Sequence, residues 1–411
     1  MGSFWMACAS CGALVIGLGA AAGAAPAAAA WPEGLDAALA QVVDREVEAG
    51  RLPGAVVMAG TPEAAHFSRA AGSLQIRPAV VPMTAEAIFD LASVTKVVGT
   101  TTAIMILVDD GLLNLDDTVA QHLPEWRQRD PAEDIRLHHL LTHTSGLPAY
   151  LSVGPLQAAH GPGPQPDVVL ATIARLKLRR AVGADVEYSC LNAILAGRIA
   201  ENVAGCNLHE FLTRRAFKPL GMADTGWHLT RDQRARLAPT GPAGGLAAPG
   251  ALADDDAPAV TTHGLVHDPL ARYYANAEHC AGNAGLFSTA ADLARFTRCI
   301  LGGGALDGVR IVRPETVERF TRRQTPDGID SRGFGWDVWN TYPYQPKADT
   351  PLGRQAVGHF GFTGTMLWID KDSGRWAVVL ASRLHGPDDA SVTALRRNLI
   401  QTLVEGGRSV D

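Results

Sequence analysis

The sequence predicts an α+β protein whose antiparallel sheet is formed by both ends of the chain and flanked by helices. Three observations favour this fold class. A short apolar run with strand character lies near the amino end, and two more strand patterns flank a tight turn near the carboxyl end. The long stretch between them shows helical spacing or loop composition. A sheet that is completed by distant segments is typical of the α+β class.

The first elements alternate between helix and strand. Apolar residues recur at helical spacing from residue 35 to 49, and a glycine follows. Residues 53–60, PGAVVMAG, predict a short buried strand. A long and very apolar helix is expected from about Ser93 to Asp110.

Helices at 191–203 and 290–301 follow in the middle of the chain. Two stretches that are dense in Pro, Gly and Ala predict loops, residues 154–167 and 238–257. The second is long enough to predict a flexible insertion or a lid near a site.

Near the carboxyl end, residues 365–370 and 376–382 have strand character and flank Asp372-Ser373-Gly374. This arrangement predicts a β-hairpin. Helical spacing returns from 390 to 404.

The composition narrows the class of protein. The chain has 411 residues, of which 47% are hydrophobic and 19% charged, and a formal net charge of −6. The apolar content excludes a disordered chain, and the absence of any cluster of Lys and Arg argues against a nucleic-acid partner.

Residues 12–30 form an apolar run of small residues that ends in Ala-x-Ala sites. We therefore expect residues 1–30 to be a signal peptide, and the mature protein to be periplasmic or secreted. Membrane contact is expected only through an uncleaved leader.

Four cysteines follow the leader: Cys190, Cys206, Cys280 and Cys299. An oxidising compartment permits one or two disulfides among them, and four buried free thiols fit equally well. The sequence does not give a pairing.

A candidate nucleophile lies at the start of the long apolar helix, in Ser93-Val94-Thr95-Lys96. A spacing of three residues puts Ser93 and Lys96 on one helix face, and the free N–H groups of a helix start can bind an oxyanion. The same pattern also fits a capping serine beside a solvated lysine. The apolar neighbours of Lys96 favour a buried lysine instead, which we expect to lose its proton near neutral pH and to act as a base.

Five stretches, in this order, resemble the serine β-lactamase and penicillin-binding-protein superfamily: FDLASVTKVVGTTTAIMILVDDGLLNLDDTV, LHHLLTHTSGLP, FKPLGMADT, AGNAGLFSTAADLARF and FGWDVW. The resemblance runs from about residue 35 to 400. It is nearest to the branch of class C β-lactamases, DD-carboxypeptidases and family VIII carboxylesterases. It implies one β-lactamase/DD-peptidase-like domain over residues 31–411, with a mostly helical second lobe at about 93–285. It also implies that Ser93 is the nucleophile and Lys96 its base.

The resemblance assigns a second motif to Tyr188-Ser189-Cys190, where the family has Tyr followed two residues later by Asn. It implies that Tyr188 relays a proton between Ser93, Lys96 and the leaving group. Cys190 would then border the substrate, but a thiol lacks the donor and acceptor pair of an amide.

The third motif is His359-Phe360-Gly361, where many members have Lys-Thr-Gly. The resemblance implies that His359 and Gly361 contact the substrate, and that the backbone N–H groups of Ser93 and Phe362 form an oxyanion hole. We expect His359 to be partly charged near neutral pH, so that it recognises a substrate carboxylate weakly and in a pH-dependent way.

His139 and His143 have the spacing of metal ligands, but they lack the adjacent Glu of a zinc protease and lie in a turn that the family uses structurally. We therefore expect neither a metal nor an organic cofactor.

Together these residues predict an exported serine hydrolase that forms an acyl-enzyme with a small-molecule ester or a cell-wall peptide. His359 and Cys190 favour a carboxylesterase. A D-alanyl-D-alanine carboxypeptidase or a weak class C-like β-lactamase is the alternative. An inactive peptidoglycan-binding or sensor protein is the alternative from another class.

Overall fold

A computed structural model describes residues 30–130, 134–241, 264–341, 351–386 and 391–406. The predicted signal peptide, except for Ala30, lies outside the described residues, as does most of the predicted 238–257 loop.

The strands of the described residues fall into a large sheet and two small pairs. They are β1 (Gly54–Gly60), β2 (Ala65–Gln75), β3 (Val81–Pro82), β4 (Phe89–Asp90), β5 (Phe287–Ser288), β6 (Ala305–Leu306), β7 (Val309–Arg310), β8 (Asp337–Thr341), β9 (Pro351–Phe360), β10 (Met366–Asp370) and β11 (Arg375–Ala381).

The α-helices of the described residues lie mostly between β4 and β8. They are α1 (Leu35–Glu48), α2 (Thr102–Asp109), α3 (Val119–His122), α4 (Leu137–Leu141), α5 (Val153–His160), α6 (Pro166–Arg175), α7 (Cys190–Ala204), α8 (Leu208–Leu212), α9 (Arg231–Arg234), α10 (Pro269–Tyr274), α11 (Ala290–Leu301), α12 (Pro314–Thr321) and α13 (Thr393–Glu405).

The large sheet has the order β3-β2-β1-β11-β10-β9-β8, and all neighbouring strands are antiparallel. In its centre β1 pairs with β11, with Ala55 opposite Ala381. The two ends of the chain therefore form one sheet, which confirms the predicted α+β class. The predicted hairpin is also confirmed, because β10 and β11 pair up to Asp370 and Arg375 at the turn.

Each face of this sheet is covered by a hydrophobic core. Alternate residues of β11 face opposite ways: Trp376, Val378 and Leu380 join the larger core, and Ala377, Val379 and Ala381 join the smaller one. The smaller core is closed by α1 and α13. The larger core continues into the helices between β4 and β8 and holds α2, α7 and α11.

The predicted long helix at 93–110 is present, but it is not uniform. Ala92–Val94 forms one turn of 3₁₀ helix and Lys96–Thr101 forms a π-helical segment before α2 begins. The run Ala92–Asp109 is long and apolar enough to cross a membrane, yet most of it is buried inside the protein. Local π segments often occur at functional sites. Here the segment includes Gly99, where a Cβ would come within 2.7 Å of the Trp227 ring.

The prediction of a loop at 154–167 is wrong at both ends, because residues 154–160 belong to α5 and Pro166 and Asp167 begin α6. Pro155 lies in the first turn of α5, where its missing N–H removes no hydrogen bond. Val153 and Leu156 provide the buried face that stabilises the helix. The density of Pro, Gly and Ala therefore gave the wrong prediction here.

Candidate active site

Ser93 and Lys96 lie side by side at the start of the apolar helix. Lys96 Nζ is 2.9 Å from Ser93 Oγ and donates to it, and it is also 3.0 Å from the main-chain oxygen of Asn283. Lys96 is buried, with 3% of its surface exposed, whereas Ser93 is half-buried. The structure thus brings the predicted nucleophile and its predicted partner into direct contact.

The turn before Ser93 is held by Asp90, the last residue of β4. Its carboxylate accepts from the N–H of Ala92 at 2.8 Å, and Ala92 has a φ of 50°, which is rare for a residue with a side chain. The other carboxylate oxygen accepts from the backbone N–H of His267 and lies 2.9 Å from His267 Nδ1. Ser93 therefore follows a strained turn that a buried carboxylate stabilises.

The loop 281–285 brings the Asn283 carbonyl to Lys96. A Cβ at Gly282 would lie 2.1 Å from the main-chain oxygen of Ala193, in α7, so only glycine permits this approach. Thr100, in the nucleophile helix, donates to the Gly282 oxygen at 2.8 Å. The sequence analysis missed Asn283, because a backbone carbonyl leaves no signature in residue type.

Tyr188 is placed beside Lys96 by the segment before α7. Lys96 Nζ lies 5.0 Å from the centroid of the Tyr188 ring, and Lys96 and Ser93 both act to lower the pKa of the phenol. The flanking residues bind the 143–149 loop: the Glu187 N–H donates to the His143 oxygen, and Ser189 Oγ donates to the Pro148 oxygen. The His143 ring packs against Tyr188 at 4.6 Å between centroids. Ser93, Lys96 and Tyr188 therefore form one cluster.

Cys190 lies where the family has asparagine, and its Sγ is 3.6 Å from Lys96 Nζ. The nearby Asn192 does not replace it, because its side chain is fully buried and binds Ser145 Oγ and His143 Nδ1. The motif position thus holds a thiol instead of an amide, beside Lys96.

The charge state of the cluster differs from the expectation. Burial lowers the pKa of Lys96, but Coulombic attraction to Cys190 and Tyr188 outweighs it, so the net pKa is raised. The predicted deprotonation of Lys96 by its apolar setting is therefore wrong. Burial raises the pKa of Tyr188, and the nearby Lys96 charge only partly offsets this. Since the two groups interact strongly, they titrate as a pair.

His359 is buried in β9 and borders the cavity. Burial lowers its pKa to about 4, and the nearby Asp337 offsets this only in part. The expectation of a partly charged His359 is therefore wrong, because the ring is neutral at neutral pH. Its Nδ1 lies 2.8 Å from the Phe360 oxygen and must donate to it, which leaves Nε2 as an acceptor. Nε2 has no partner among the described residues.

The turn after β9 is tied to the nucleophile turn. Thr363 Oγ1 donates to the Asp90 oxygen and Thr365 Oγ1 donates to the Leu91 oxygen, both at 2.8 Å. A Cβ at Gly361 would lie 2.5 Å from the Leu91 oxygen, so glycine is required at this approach. This contact brings Phe362 to the cavity that Ser93 lines. The oxyanion hole formed by the two backbone N–H groups stays a prediction.

A cavity of about 490 Å³ joins these residues. It is lined by five of the predicted site residues, Ser93, Tyr188, His359, Gly361 and Phe362. Lys96 and Cys190 lie behind this lining, next to Ser93.

Three arginines also line the cavity, and the sequence analysis missed all of them. Arg332 pairs with Asp337, and its guanidinium lies 5.6 Å from the Tyr188 ring centroid. Arg396, in α13, donates to the oxygens of Gly361 and Thr365. Arg383 follows β11. The three come from separate elements with no common sequence pattern, so only the fold brings them together.

The remaining candidate groups have structural partners. His139 Nδ1 accepts from the Arg136 N–H, and His143 Nδ1 accepts from the Ser189 N–H. The four cysteines Cys190, Cys206, Cys280 and Cys299 are free thiols in the structure. The structure therefore has free thiols rather than disulfides, but only Cys280 and Cys299 are buried, whereas Cys190 and Cys206 are half-buried.

Comparison with known proteins identifies the family of the chain. Residues 39–402 match the family described as Beta-lactamase. Protein Rv1367c from Mycobacterium tuberculosis (strain ATCC 25618 / H37Rv) is 32% identical over 377 residues, which cover 84% of this chain and 89% of that protein. A protein from Escherichia coli (strain K12) named "Putative D-alanyl-D-alanine carboxypeptidase" is 30% identical over 316 residues, which cover 75% of this chain and 71% of that protein.

Among solved structures, EstCE1, described as a hydrolase with promiscuous acyltransferase activity, superposes with a TM-score of 0.69 at 22% identity and covers 91% of this chain and 98% of that one. At this identity the likeness shows the fold alone. The family match spans nearly the whole chain, and the curated relatives extend over most of it. The protein therefore belongs to the beta-lactamase family, within the superfamily of serine β-lactamases and penicillin-binding proteins.

Proposed function

We propose that this protein is an exported serine hydrolase that acts through a Ser93 acyl-enzyme, and that its preferred substrates are carboxylic esters. The observation that carries the proposal is the 2.9 Å contact between Ser93 Oγ and Lys96 Nζ, beside a cavity that Tyr188 also lines. Export rests on the signal-like residues 1–30.

The reaction follows from the positions of the three side chains. Ser93 Oγ attacks the substrate carbonyl carbon, and its proton passes to the Lys96–Tyr188 pair. The N–H groups of Ser93 and Phe362 hold the negative oxygen that develops. When the intermediate collapses, the pair returns the proton to the leaving alcohol or amine. Water then attacks the acyl-enzyme in the same way, which releases the acid and restores Ser93.

The preference for esters rests on the third motif. His359 is neutral and offers an acceptor, whereas the lysine found there in many relatives offers a positive charge. A neutral acceptor gives a β-lactam carboxylate nothing to pair with at this position. The activity named for EstCE1 is compatible with an ester substrate.

A D-alanyl-D-alanine carboxypeptidase is the second candidate. It is favoured by the name of the Escherichia coli relative and by the arginines that line the cavity, because such a peptide ends in a carboxylate. Weak β-lactam hydrolysis would be compatible with either activity.

Labelling of the nucleophile tests the proposal. Wild type should react with a fluorescent fluorophosphonate or penicillin, and Ser93→Ala should not. Ser391→Ala is the matched control, because Ser391 lines the same cavity and should leave labelling intact. Equal labelling of wild type and Ser93→Ala would show that the nucleophile is wrong.

A substrate panel then separates the candidates. We expect turnover of p-nitrophenyl butyrate above that of a D-Ala-D-Ala peptide and of nitrocefin. Turnover confined to the peptide would replace the esterase by the carboxypeptidase. Binding of peptidoglycan without turnover of any of the three would support an inactive sensor.

A further inference from the structure

Two turns that are far apart in the sequence must meet if Ser93 and Phe362 are to form one oxyanion hole. Ser93 follows β4, and Phe362 follows β9. Their N–H groups stabilise one oxygen only when both point at it, and a misplacement of about 1 Å can cost about 100-fold in rate. The contacts that fix one turn against the other therefore decide whether the hole is complete.

The threonines of the turn after β9 make two of these contacts, because they donate to the main-chain oxygens of residues 90 and 91. These bonds fix the backbone before Ser93 and after Phe362. They involve neither the strained Ala92 nor the Phe362 ring. His267 is the residue that contacts both regions.

His267 reaches one turn with the edge of its ring and the other with its face. Its backbone N–H donates to Asp90 Oδ2 at 2.7 Å, and its Nδ1 lies 2.9 Å from the same oxygen. The other carboxylate oxygen of Asp90 accepts from the N–H of Ala92, the residue before Ser93. The His267 ring stacks on the Phe362 ring, with centroids 5.8 Å apart and an interplanar angle of 20°. One imidazole thus connects the carboxylate that holds the nucleophile turn with the residue that carries the second N–H.

The contact between Asp90 and His267 is a buried carboxylate–imidazole pair. Asp90 is 2% exposed, and 9% of the His267 side chain is exposed. Burial opposes the charge of both groups, but their mutual attraction outweighs it, which lowers the pKa of Asp90 and raises the pKa of His267. Asp268 adds to the attraction on His267, and the Lys96 charge opposes it. Since an ionised carboxylate only accepts, Nδ1 carries a proton and donates to Asp90.

The backbone of His267 is itself held in place. Arg272, in α10, donates from Nη1 to the main-chain oxygen of Val266 at 2.5 Å and to that of His267 at 3.4 Å. Asp268 caps the start of α10 by accepting from the Ala271 N–H at 2.7 Å. The imidazole therefore extends from a fixed support and can restrain the two turns that it contacts.

We propose that His267 is a positioning residue that aligns the two N–H groups of the oxyanion hole, through its hydrogen bond to Asp90 and its stacking on Phe362. The inference rests on the proposed function and adds to it a residue that acts on the reaction without contacting the substrate. The described lining of the cavity includes Ser93 and Phe362 but not His267. Its effect is therefore on the oxyanion that develops and not on the binding of the acyl group.

Substitutions at His267 separate the two contacts. His267→Asn keeps a donor at the position of Nδ1 but has no ring to stack on Phe362. His267→Phe keeps the ring but cannot donate to Asp90. We expect kcat/KM to fall by about 10- to 100-fold in His267→Phe, which loses a hydrogen bond to a charged group, and by about 2- to 10-fold in His267→Asn, which loses an aromatic contact. His267→Ala loses both contacts and should be the least active.

A matched pair of esters shows where the loss arises. Mono-p-nitrophenyl glutarate and its methyl ester share the reacting carbonyl and differ in a remote charge. Each His267 variant should lose the same factor on both esters, because the oxyanion forms on the shared carbonyl. The affinity for butylboronic acid, which forms a tetrahedral adduct with Ser93, should fall by that factor as well. Inhibition by butyramide, which forms no adduct, should change by less than about twofold.

His160→Asn and His160→Phe, at an exposed histidine outside the described cavity lining, are the controls and should leave kcat/KM unchanged. Thermal unfolding gives the folded fraction of each variant. Lower stability with unchanged kcat/KM per folded molecule would overturn the inference, because His267 would then only stabilise the fold. An unequal loss on the two esters, or equal losses of affinity for the boronic acid and butyramide, would overturn it too. His267→Asn keeps Asp90 paired, so it tests the inference even where His267→Phe does not fold.

Labelling distinguishes this inference from the proposed function. When a fluorophosphonate reacts with Ser93, its phosphoryl oxygen takes the position of the oxyanion, so labelling should slow progressively from wild type through His267→Asn and His267→Phe to His267→Ala. Equal labelling rates in wild type and all three variants would overturn the positioning role and leave the nucleophile in place. If Ser93→Ala removes neither turnover nor labelling, the proposed function is wrong, and the inference is wrong with it.

Discussion

The active-site cavity has two walls that are built in different ways. On one, Lys96 is buried and receives contacts from Ser93, Cys190 and Asn283, which lie far apart in the sequence. On the other, Phe362 and Arg383 are exposed or half-buried and mainly contact each other. In the proposed reaction, the first wall holds the atoms that transfer protons. The second leaves donors open to the substrate. We therefore expect changes in the first wall to affect all substrates alike, and changes in the second to alter selectivity.

The strongest test of this comparison is Lys96→Ala. Without the Lys96 amine, the pair that accepts the proton of Ser93 is lost, and kcat/KM should fall by about 10³-fold or more. The loss should be equal for mono-p-nitrophenyl glutarate and its methyl ester. Lys177→Ala, at an exposed lysine, serves as control. A fall in kcat/KM for only one of the two esters would show that the first wall also determines selectivity, which contradicts the comparison.

A smaller effect is expected from Gly282→Ala, which changes the 281–285 loop that positions the Asn283 carbonyl in the first wall. The new Cβ would meet the main-chain oxygen of Ala193, so the loop must retreat and carry the Asn283 carbonyl away from Lys96. Overpacking of this kind costs about 1–3 kcal/mol of unfolding free energy. Chemical denaturation should show the lower free energy of unfolding, and ester hydrolysis should show a lower activity.

Gly154→Ala is the matched control for this substitution, because nothing lies within 4 Å of the added Cβ. Equal stability of the two variants would mean that the 281–285 loop does not pack against α7 as described.

The smallest expected effect is a shift in pH dependence. Activity should rise with pH on the alkaline side of neutrality, because the raised pKa of Lys96 keeps the pair protonated at neutral pH. Attraction to Cys190 contributes to that raised pKa, so Cys190→Ala should lower it and move the rising limb of kcat/KM to lower pH. Activity near pH 7 should then increase by roughly severalfold.

Cys206→Ala is the control for the pH profile, since this half-buried cysteine does not contact Lys96. A rising limb that moves to higher pH in Cys190→Ala, or that moves equally in both variants, would contradict the assigned coupling.

The order of the main elements could be predicted from the sequence because it depends on local patterns. The hairpin of β10 and β11 is marked by its turn residues, and α11 by its apolar spacing. The contact of Ser93 with Lys96 also follows from local spacing on a helix. Tyr188 joined them only through the resemblance, since no local rule brings it to Lys96.

The remaining features of the site depend on tertiary contacts. The Lys96 pKa is raised rather than lowered because of Cys190 and Tyr188, which are distant in sequence. Arg383 follows β11 and Phe362 follows β9, and the order of strands in the sheet brings the two side chains into contact. The charge state of Lys96 and the contacts of Arg383 can therefore be derived only when their neighbours in the fold are known.

The pairing of β1 with β11 has a consequence for folding during synthesis of the chain. Until the ribosome has synthesised residues 375–381, the nascent chain lacks the strand that joins β1 to β10. The sheet therefore cannot close until β11 has been synthesised, and contacts between such distant segments form slowly. Deletion of β11 and α13 would remove the middle of the sheet and leave two separate edges, so a chain truncated before residue 375 should fail to form the sheet.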